Sequence, residues 1–179
     1  MKMRTMAAAV ILVATLGGCS LWRGGQTAVV VDPVAFAQQA AVDDMAQIAM
    51  ARIAMERAAS TDVRAFAQRV MTDCQARQRE LEAVAAKNGI ALPDKLEPLD
   101  QAKVDRLTAY KGEDFDIAYM DLMITEHQQN FLAFEDAAKA GGALSTFGQT
   151  FLPTVRSDLE LAKTVDVNVG GALVKQFPG

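Results

Sequence analysis

The sequence predicts an all-α protein, an antiparallel four-helix bundle with a short extra helix before the third long helix. Residues of the AVILMFWYC set make up 51% of the chain while aromatic residues make up only 6%, a composition typical of helical proteins. Apolar residues recur at three- and four-residue spacing in four long segments, as they do along one face of a helix. Antiparallel packing is the simplest way to bury four such faces against one another.

Capping residues predict the bounds of the first two helices. Asp32 followed by Pro33 is typical of an N-cap and a first helical position, and the helical pattern then continues to about Ala59. Ser60 caps the second helix. Gly89 is expected to end that helix in the left-handed conformation that favours glycine.

Glycine and proline divide the second half of the chain. A connection over residues 90–98 leads into a short helix predicted from Leu99 to about Tyr110. Gly112 breaks the pattern, and a long helix is expected over about 113–140.

The fourth long helix is predicted over residues 144–165, after the break at Gly141 and Gly142. Pro153 lies inside it and is expected to kink or split it, because proline lacks the backbone N–H that a helix needs. The predicted bundle domain therefore spans residues 32–165. An irregular tail is expected over residues 166–179.

The N-terminus predicts a secretory signal peptide over residues 1–18. Lys2 and Arg4 precede an apolar run from Ala7 to Leu16, which is too short to be a spanning helix. The ending Leu16-Gly17-Gly18-Cys19 resembles the lipobox of bacterial lipoproteins. The alternative is an ordinary cleaved signal peptide with a chance cysteine at its end.

The lipobox resemblance implies that Cys19 is acylated and becomes the first residue of the mature protein. Residues 19–31 would then be the lipidated cysteine and a tether. Ser20 replaces the aspartate that usually retains lipoproteins in the inner membrane, so the resemblance implies the outer membrane of a Gram-negative envelope. The protein is therefore expected on the periplasmic side of the envelope, held by lipid.

The charge balance argues against nucleic acid as a partner. Without residues 1–18 the chain carries 16 basic and 22 acidic side chains and no basic run. Contact with the membrane is therefore expected through the lipid on Cys19 alone, and the sequence names no protein partner. Cys74 is the remaining cysteine, so no internal disulfide is expected.

Four polar residues interrupt the apolar stripes, one on each long helix. They are Gln47, Cys74, His127 and Asp158. A buried polar group without a partner costs about 1–3 kcal/mol, so four such groups on facing stripes are expected to meet one another or to share an ion. Thiolate and imidazole favour Zn²⁺ or a copper ion.

Each of these residues also has an ordinary structural interpretation. His127 is more often a hydrogen-bonded core residue than a ligand, and a core cysteine is usually an inert small apolar residue. Asp158 is expected to pair with His127, Arg52 or Arg156, because aspartate is seldom buried alone.

No complete catalytic motif is present, and an enzymatic role is not expected. A ferritin-type di-iron site needs two Glu-x-x-His motifs, whereas this chain has one histidine with Glu126 directly before it. A non-enzymatic envelope component is therefore the first hypothesis and a transition-metal-binding protein is the alternative. A third and weaker hypothesis is a thiol redox sensor at Cys74.

Three segments carry a resemblance to a known family: FAQRVMTDCQARQRELEAVAAKNGIALP, GEDFDIAYMDLMITEHQQNFLAFEDAA and FLPTVRSDLELAK. Together they resemble the domain-of-unknown-function 4142 family of secreted or envelope bacterial proteins. The resemblance covers about residues 33–165. It implies a ferritin-like helical bundle and an envelope location, and it implies no activity.

The chain departs from this family at three of the four polar positions. Members usually carry histidine where this chain has Cys74 and Asp158, and a glutamate is common where it has Gln47, whereas His127 is kept. If the family's residues bind a metal, the resemblance implies a weakened or repurposed site here, because glutamine is a poor ligand.

Overall fold

The computed structural model describes residues 31–171, which form five helices. Within this range there is no strand, only one isolated bridge between Ala58 and Gly112. The predicted signal peptide, Cys19, most of the tether and residues 172–179 lie outside the described residues. The helices are α1 (Pro33–Arg57), α2 (Thr61–Lys87), α3 (Pro98–Leu107), α4 (Gly112–Ala140) and α5 (Ala143–Asn168).

The predicted caps of the first two helices are confirmed. The Asp32 carboxylate accepts hydrogen bonds from the backbone N–H groups of Val34 (2.9 Å) and Ala35 (3.4 Å). The Ser60 hydroxyl accepts one from Asp62 N–H at 3.1 Å. Gly89 follows the end of α2 with φ +66°, a conformation that strains any residue with a β-carbon.

The last helix differs from its prediction in two ways. It runs unbroken through Pro153 and ends at Asn168, three residues later than expected. Buried side chains on both sides of the proline, Phe147 before it and Val155 after it, pack into the core and hold the two halves in one helix. The expectation that Pro153 splits the helix is therefore wrong, because packing outweighs the loss of one hydrogen bond.

The four long helices pack against one another in pairs. The pairs α1–α2 and α4–α5 pack most closely, while α2 also contacts α5 and α1 also contacts α4. The short helix α3 packs on α1 and α4. Among residues 31–171, none of the helices combines the length and the hydropathy that a membrane span requires.

The core consists of two apolar halves. One includes Phe66, Phe115 and Tyr119 and lies toward the ends of the helices where α1 stops and α2 begins. The other includes Phe36 and Phe147 and lies toward the start of α1 and the α4–α5 turn. Each long helix carries at least one buried polar residue between the positions that belong to the two halves, namely Asp44, Arg77, His127 and Asp158, and these residues mark the candidate site.

Candidate functional site: a buried polar layer

Six side chains form a polar layer between the two apolar halves. We define this polar layer as Asp44 and Gln47 of α1, Cys74 and Arg77 of α2, His127 of α4 and Asp158 of α5. Each of these residues is at most 3% exposed. The four positions predicted from the stripes are therefore all buried at the same level of the bundle.

Arg77 and Asp44 form an ion pair in the interior. The Arg77 Nε donates to Asp44 Oδ1 at 2.8 Å, and a terminal guanidinium nitrogen contacts the same oxygen. The guanidinium also lies 5.3 Å from the centre of the Phe134 ring, within range of a cation–π interaction. The two side chains are only 3% and 1% exposed, so this pair joins α1 to α2 in the interior.

Both members of this pair were missed in the sequence, although the spacing could have indicated them. Arg77 lies three residues after Cys74 and four before Leu81 on the same stripe, and Asp44 lies three before Gln47. Charged residues are usually exposed, so Arg77 and Asp44 were expected at the surface of their helices.

Arg77 remains charged. Burial disfavours the charged guanidinium, but interactions with Asp44, Cys74 and Asp158 together outweigh burial and raise the pKa of Arg77. Burial also raises the pKa of Asp44, and the positive charge of Arg77 opposes that rise. A fixed positive charge therefore stands among the polar side chains that the stripes predicted.

Cys74 is held between two members of the layer. Its thiol donates to Gln47 Oε1 at 3.3 Å, and Arg77 donates to the Cys74 sulfur at 3.3 Å. Burial raises the pKa of Cys74 well above its usual value. The side chain is therefore a neutral thiol, a poor nucleophile and a poor metal ligand in this state.

His127 is neutral. Its Nδ1 lies 2.9 Å from the carbonyl oxygen of Met123, and its ring lies 5.7 Å from that of Phe66. Burial and the positive charge of Arg77 lower the pKa of His127 to about 4, while the Met123 carbonyl opposes that shift. Nδ1 donates its proton to that carbonyl, which is the arrangement of a hydrogen-bonded core histidine.

Asp158 pairs with a residue that was not expected. Arg69 Nε donates to Asp158 Oδ1 at 2.8 Å. The expected pairing with His127, Arg52 or Arg156 is therefore wrong, and the Arg156 guanidinium instead lies 5.2 Å from the centre of the Phe131 ring. Burial and Asp73 raise the pKa of Asp158 to about 6 against the opposing effect of Arg69.

The side chains predicted as metal ligands have other partners in the described chain. Among residues 31–171, no group of three or more histidine, cysteine, aspartate or glutamate side chains is arranged to hold one. The Gln47 oxygen already accepts from Cys74, and the amide nitrogen of Gln47, a donor that cannot ligate a cation, is buried without a partner in the described chain. Arg77 supplies the positive charge that an ion would bring.

We expect Cys74 to react slowly in the folded protein. In the soluble form beginning at Ser20, Cys74 is the only thiol, and labelling by an aromatic disulfide should be at least about a hundredfold slower than after unfolding, because a buried thiol reacts through opening. Ala83 is exposed on the same helix, so the variant Cys74→Ala/Ala83→Cys gives the rate of an accessible thiol. Equal rates for the two folded proteins would support the redox-sensor hypothesis instead.

Comparison with known families assigns most of this chain to one of them. The sequence pattern described as Domain of unknown function (DUF4142) matches residues 23–165. The chain belongs to the DUF4142 family. The DUF4142 region contains the whole of α1 to α4, the whole polar layer and all but the last three residues of α5.

A solved structure resembles this DUF4142 protein in fold. The crystal structure of a DUF305 fragment from Deinococcus radiodurans superposes with a TM-score of 0.66 at 19% sequence identity. The similarity covers 79% of this chain and 98% of that fragment, and at this identity it shows the fold alone. A search among curated proteins finds no match.

Proposed function

We propose that this protein is a lipid-anchored, non-enzymatic component of the bacterial envelope. It would be a ferritin-like, antiparallel four-helix bundle on the periplasmic side of the outer membrane, with an interaction or structural role. The observation that supports the non-enzymatic part is that Arg77, Cys74 and Asp158 each already have a side-chain partner within the described chain. His127 is likewise engaged, by a backbone carbonyl.

The clefts in the described chain support the same proposal. The cleft of about 560 Å³ between the α1–α2 turn and the end of α5 is lined by Ser60, Glu113 and Asp116 among others. The Asp116 carboxylate accepts from the backbone N–H groups of Ala59 at 3.0 Å and Ser60 at 2.7 Å, so it holds the turn. No cysteine or histidine lines this cleft within residues 31–171.

The anchoring part of the proposal depends on the N-terminal sequence. A lipidated Cys19 would lie fourteen residues before Pro33, where α1 begins. The start of α1 lies beside the α4–α5 turn, where Val31 and Phe36 pack with Leu144. The lipid would therefore be connected to the bundle at this end.

The alternative function is transition-metal binding, with Zn²⁺ or copper held by Cys74, His127, Asp158 and Gln47. The observation that favours it is that all four residues lie in one layer, with Cys74 and Gln47 in contact. It would require loss of the thiol proton and entry of a cation beside Arg77. Both steps are unfavourable in the arrangement described above.

Metal content decides between the two functions. We expect the form beginning at Ser20, purified without a histidine tag and incubated with Zn²⁺ or Cu²⁺, to retain no bound metal after desalting, as measured by mass spectrometry. His127→Ala should behave identically, with Asn130→Ala as the control for loss of a buried polar side chain on the same helix. About one retained equivalent in wild type and Asn130→Ala, lost in His127→Ala, would establish the metal-binding function instead.

A further inference from the structure

Two clefts lie along the line of contact between α2 and α5, which we call the seam. These two helices pack less closely than α1 with α2 or α4 with α5. One cleft of about 390 Å³ lies between residues 62–69 of α2 and 161–168 of α5. The other, of about 470 Å³, lies between residues 76–84 of α2 and 143–151 of α5. The two helices are therefore separated toward both ends of the seam.

Polar side chains close the seam between the two clefts. Arg69 Nε donates to Asp158 Oδ1 at 2.8 Å, and a terminal guanidinium nitrogen of Arg69 donates to Ser157 Oγ at 2.8 Å. The same Nε lies 3.4 Å from Asp73 Oδ2. We call these four residues the clasp. Among residues 31–171, the hydrogen bonds that join α2 to α5 both come from Arg69.

The clasp connects solvent to the polar layer. The Arg69 side chain is 41% exposed, whereas the Asp158 side chain that it contacts is 3% exposed. Asp73 is half-buried, and the next residue along α2 is the buried Cys74. Asp158 is also one of the charges that act on the Cys74 thiol. Asp158 therefore lies between an exposed arginine and the interior of the layer.

Arg69 supplies the cation for a carboxylate that is almost fully buried. Without this guanidinium, an ionised Asp158 would lack its ion pair at the seam, and an uncompensated buried charge is strongly unfavourable. Water can hydrate that charge if α2 and α5 separate, and the clefts on either side mean that this separation breaks few apolar contacts. Separation of α1 from α2 or of α4 from α5 would break more of them. The seam is therefore the place where local opening costs least.

We propose that the seam is the opening through which solvent and small reagents reach the polar layer, and that Arg69 holds it closed. Opening is a local separation of α2 from α5 at the clasp, while the α1–α2 and α4–α5 pairs stay packed. Cys74 reports this opening, because a buried thiol reacts only when a reagent reaches it. The inference is independent of the proposed function, since it concerns access to the layer and not the role of the protein.

The urea dependence of Cys74 labelling distinguishes local opening from global unfolding. The form beginning at Ser20 is labelled by an aromatic disulfide at neutral pH, over urea concentrations below its unfolding transition. The urea dependence of an opening scales with the surface that it exposes, so local opening predicts a labelling rate that is nearly constant at low urea. Global unfolding predicts a rate that rises with urea as steeply as the unfolding equilibrium.

Three variants test the role of Arg69. Arg69→Gln should raise the low-urea labelling rate about tenfold, because Asp158 loses an ion pair that is partly screened by solvent. Ser157→Ala, which removes a neutral contact at an exposed position, should raise the rate about threefold. Lys103→Gln is the matched control, because it takes the ammonium from the nearly buried Glu126 between α3 and α4, outside the seam. It should leave the low-urea rate unchanged.

Three results would overturn the proposal. In the first, the wild-type rate follows global unfolding down to urea-free buffer, so that Cys74 is reached only in the unfolded chain. In the second, Arg69→Gln and Lys103→Gln raise the low-urea rate by the same factor. In the third, neither Arg69→Gln nor Ser157→Ala changes it. If Arg69→Gln does not fold, the rate of Ser157→Ala relative to wild type decides the proposal by itself.

Discussion

The Arg77→Met variant is expected to lower the free energy of unfolding by about 3–5 kcal/mol, because it leaves a fully buried carboxylate without its cation. Asp44 has no exposed surface, and Arg77 is the cation that contacts it. The substitution also removes the hydrogen bond to Cys74 and the contact with the Phe134 ring. Because domains of this size unfold with about 5–15 kcal/mol, the expected loss is a large part of the total.

Chemical denaturation followed by the helical circular dichroism signal measures this effect. Arg79→Met, an exposed arginine two residues further along α2, is the matched control and should change stability by less than about 0.5 kcal/mol. The double variant Asp44→Leu/Arg77→Met should recover most of the loss, since it removes the unpaired charge and fills the volume with apolar side chains. A loss below about 1 kcal/mol for Arg77→Met would mean that the ion pair with Asp44 does not stabilise the polar layer.

The Cys19→Ala variant is expected to move the protein from the membrane fraction to the soluble periplasmic fraction. Acyl chains contribute about 0.8 kcal/mol for each buried CH₂ group, and stable attachment takes two membrane-binding signals. The acidic chain offers no second electrostatic attachment to anionic lipid. Cell fractionation with a carbonate wash, together with the mass of the mature N-terminus, measures the change.

Ser20 provides a matched control for this experiment. Ser20→Ala should leave the protein lipidated in the outer membrane, whereas Ser20→Asp should move it to the inner membrane while it stays lipidated. If Cys19→Ala remained in the washed membrane fraction after removal of residues 1–18, as judged by the mass of its N-terminus, the lipid would not be the anchor and that part of the proposal would be wrong.

Local chemistry explains which parts of the fold were predictable. The starts of α1 and α2 depend on Asp32 and Ser60, whose side chains bond to backbone N–H groups two or three residues away, so the sequence contains all the necessary information. Pro153 shows the limit of a local rule. The helix continues through it because Phe147 and Val155 are held by other helices, and such contacts are invisible in a sequence pattern.

The candidate site was predictable in position but not in pairing. Helical spacing located Gln47, Cys74, His127 and Asp158 on buried faces, because periodicity reports which side of a helix faces inward. It could not locate Arg77 opposite Asp44, 33 residues away, or Arg69 beside Asp158, 89 residues away. Such pairs depend on which helices are neighbours and on how far each helix is shifted along its axis relative to the other.

The sequence by itself determined the family, the number and approximate bounds of the helices, and which faces are buried. These properties depend on residues close together in the chain or on a pattern that repeats along it. Only the tertiary structure decided that the interior contains a buried arginine and that this arginine pairs with Asp44. Burial and the distances between charges on different helices set the protonation states of these groups, and both arise only when the helices pack.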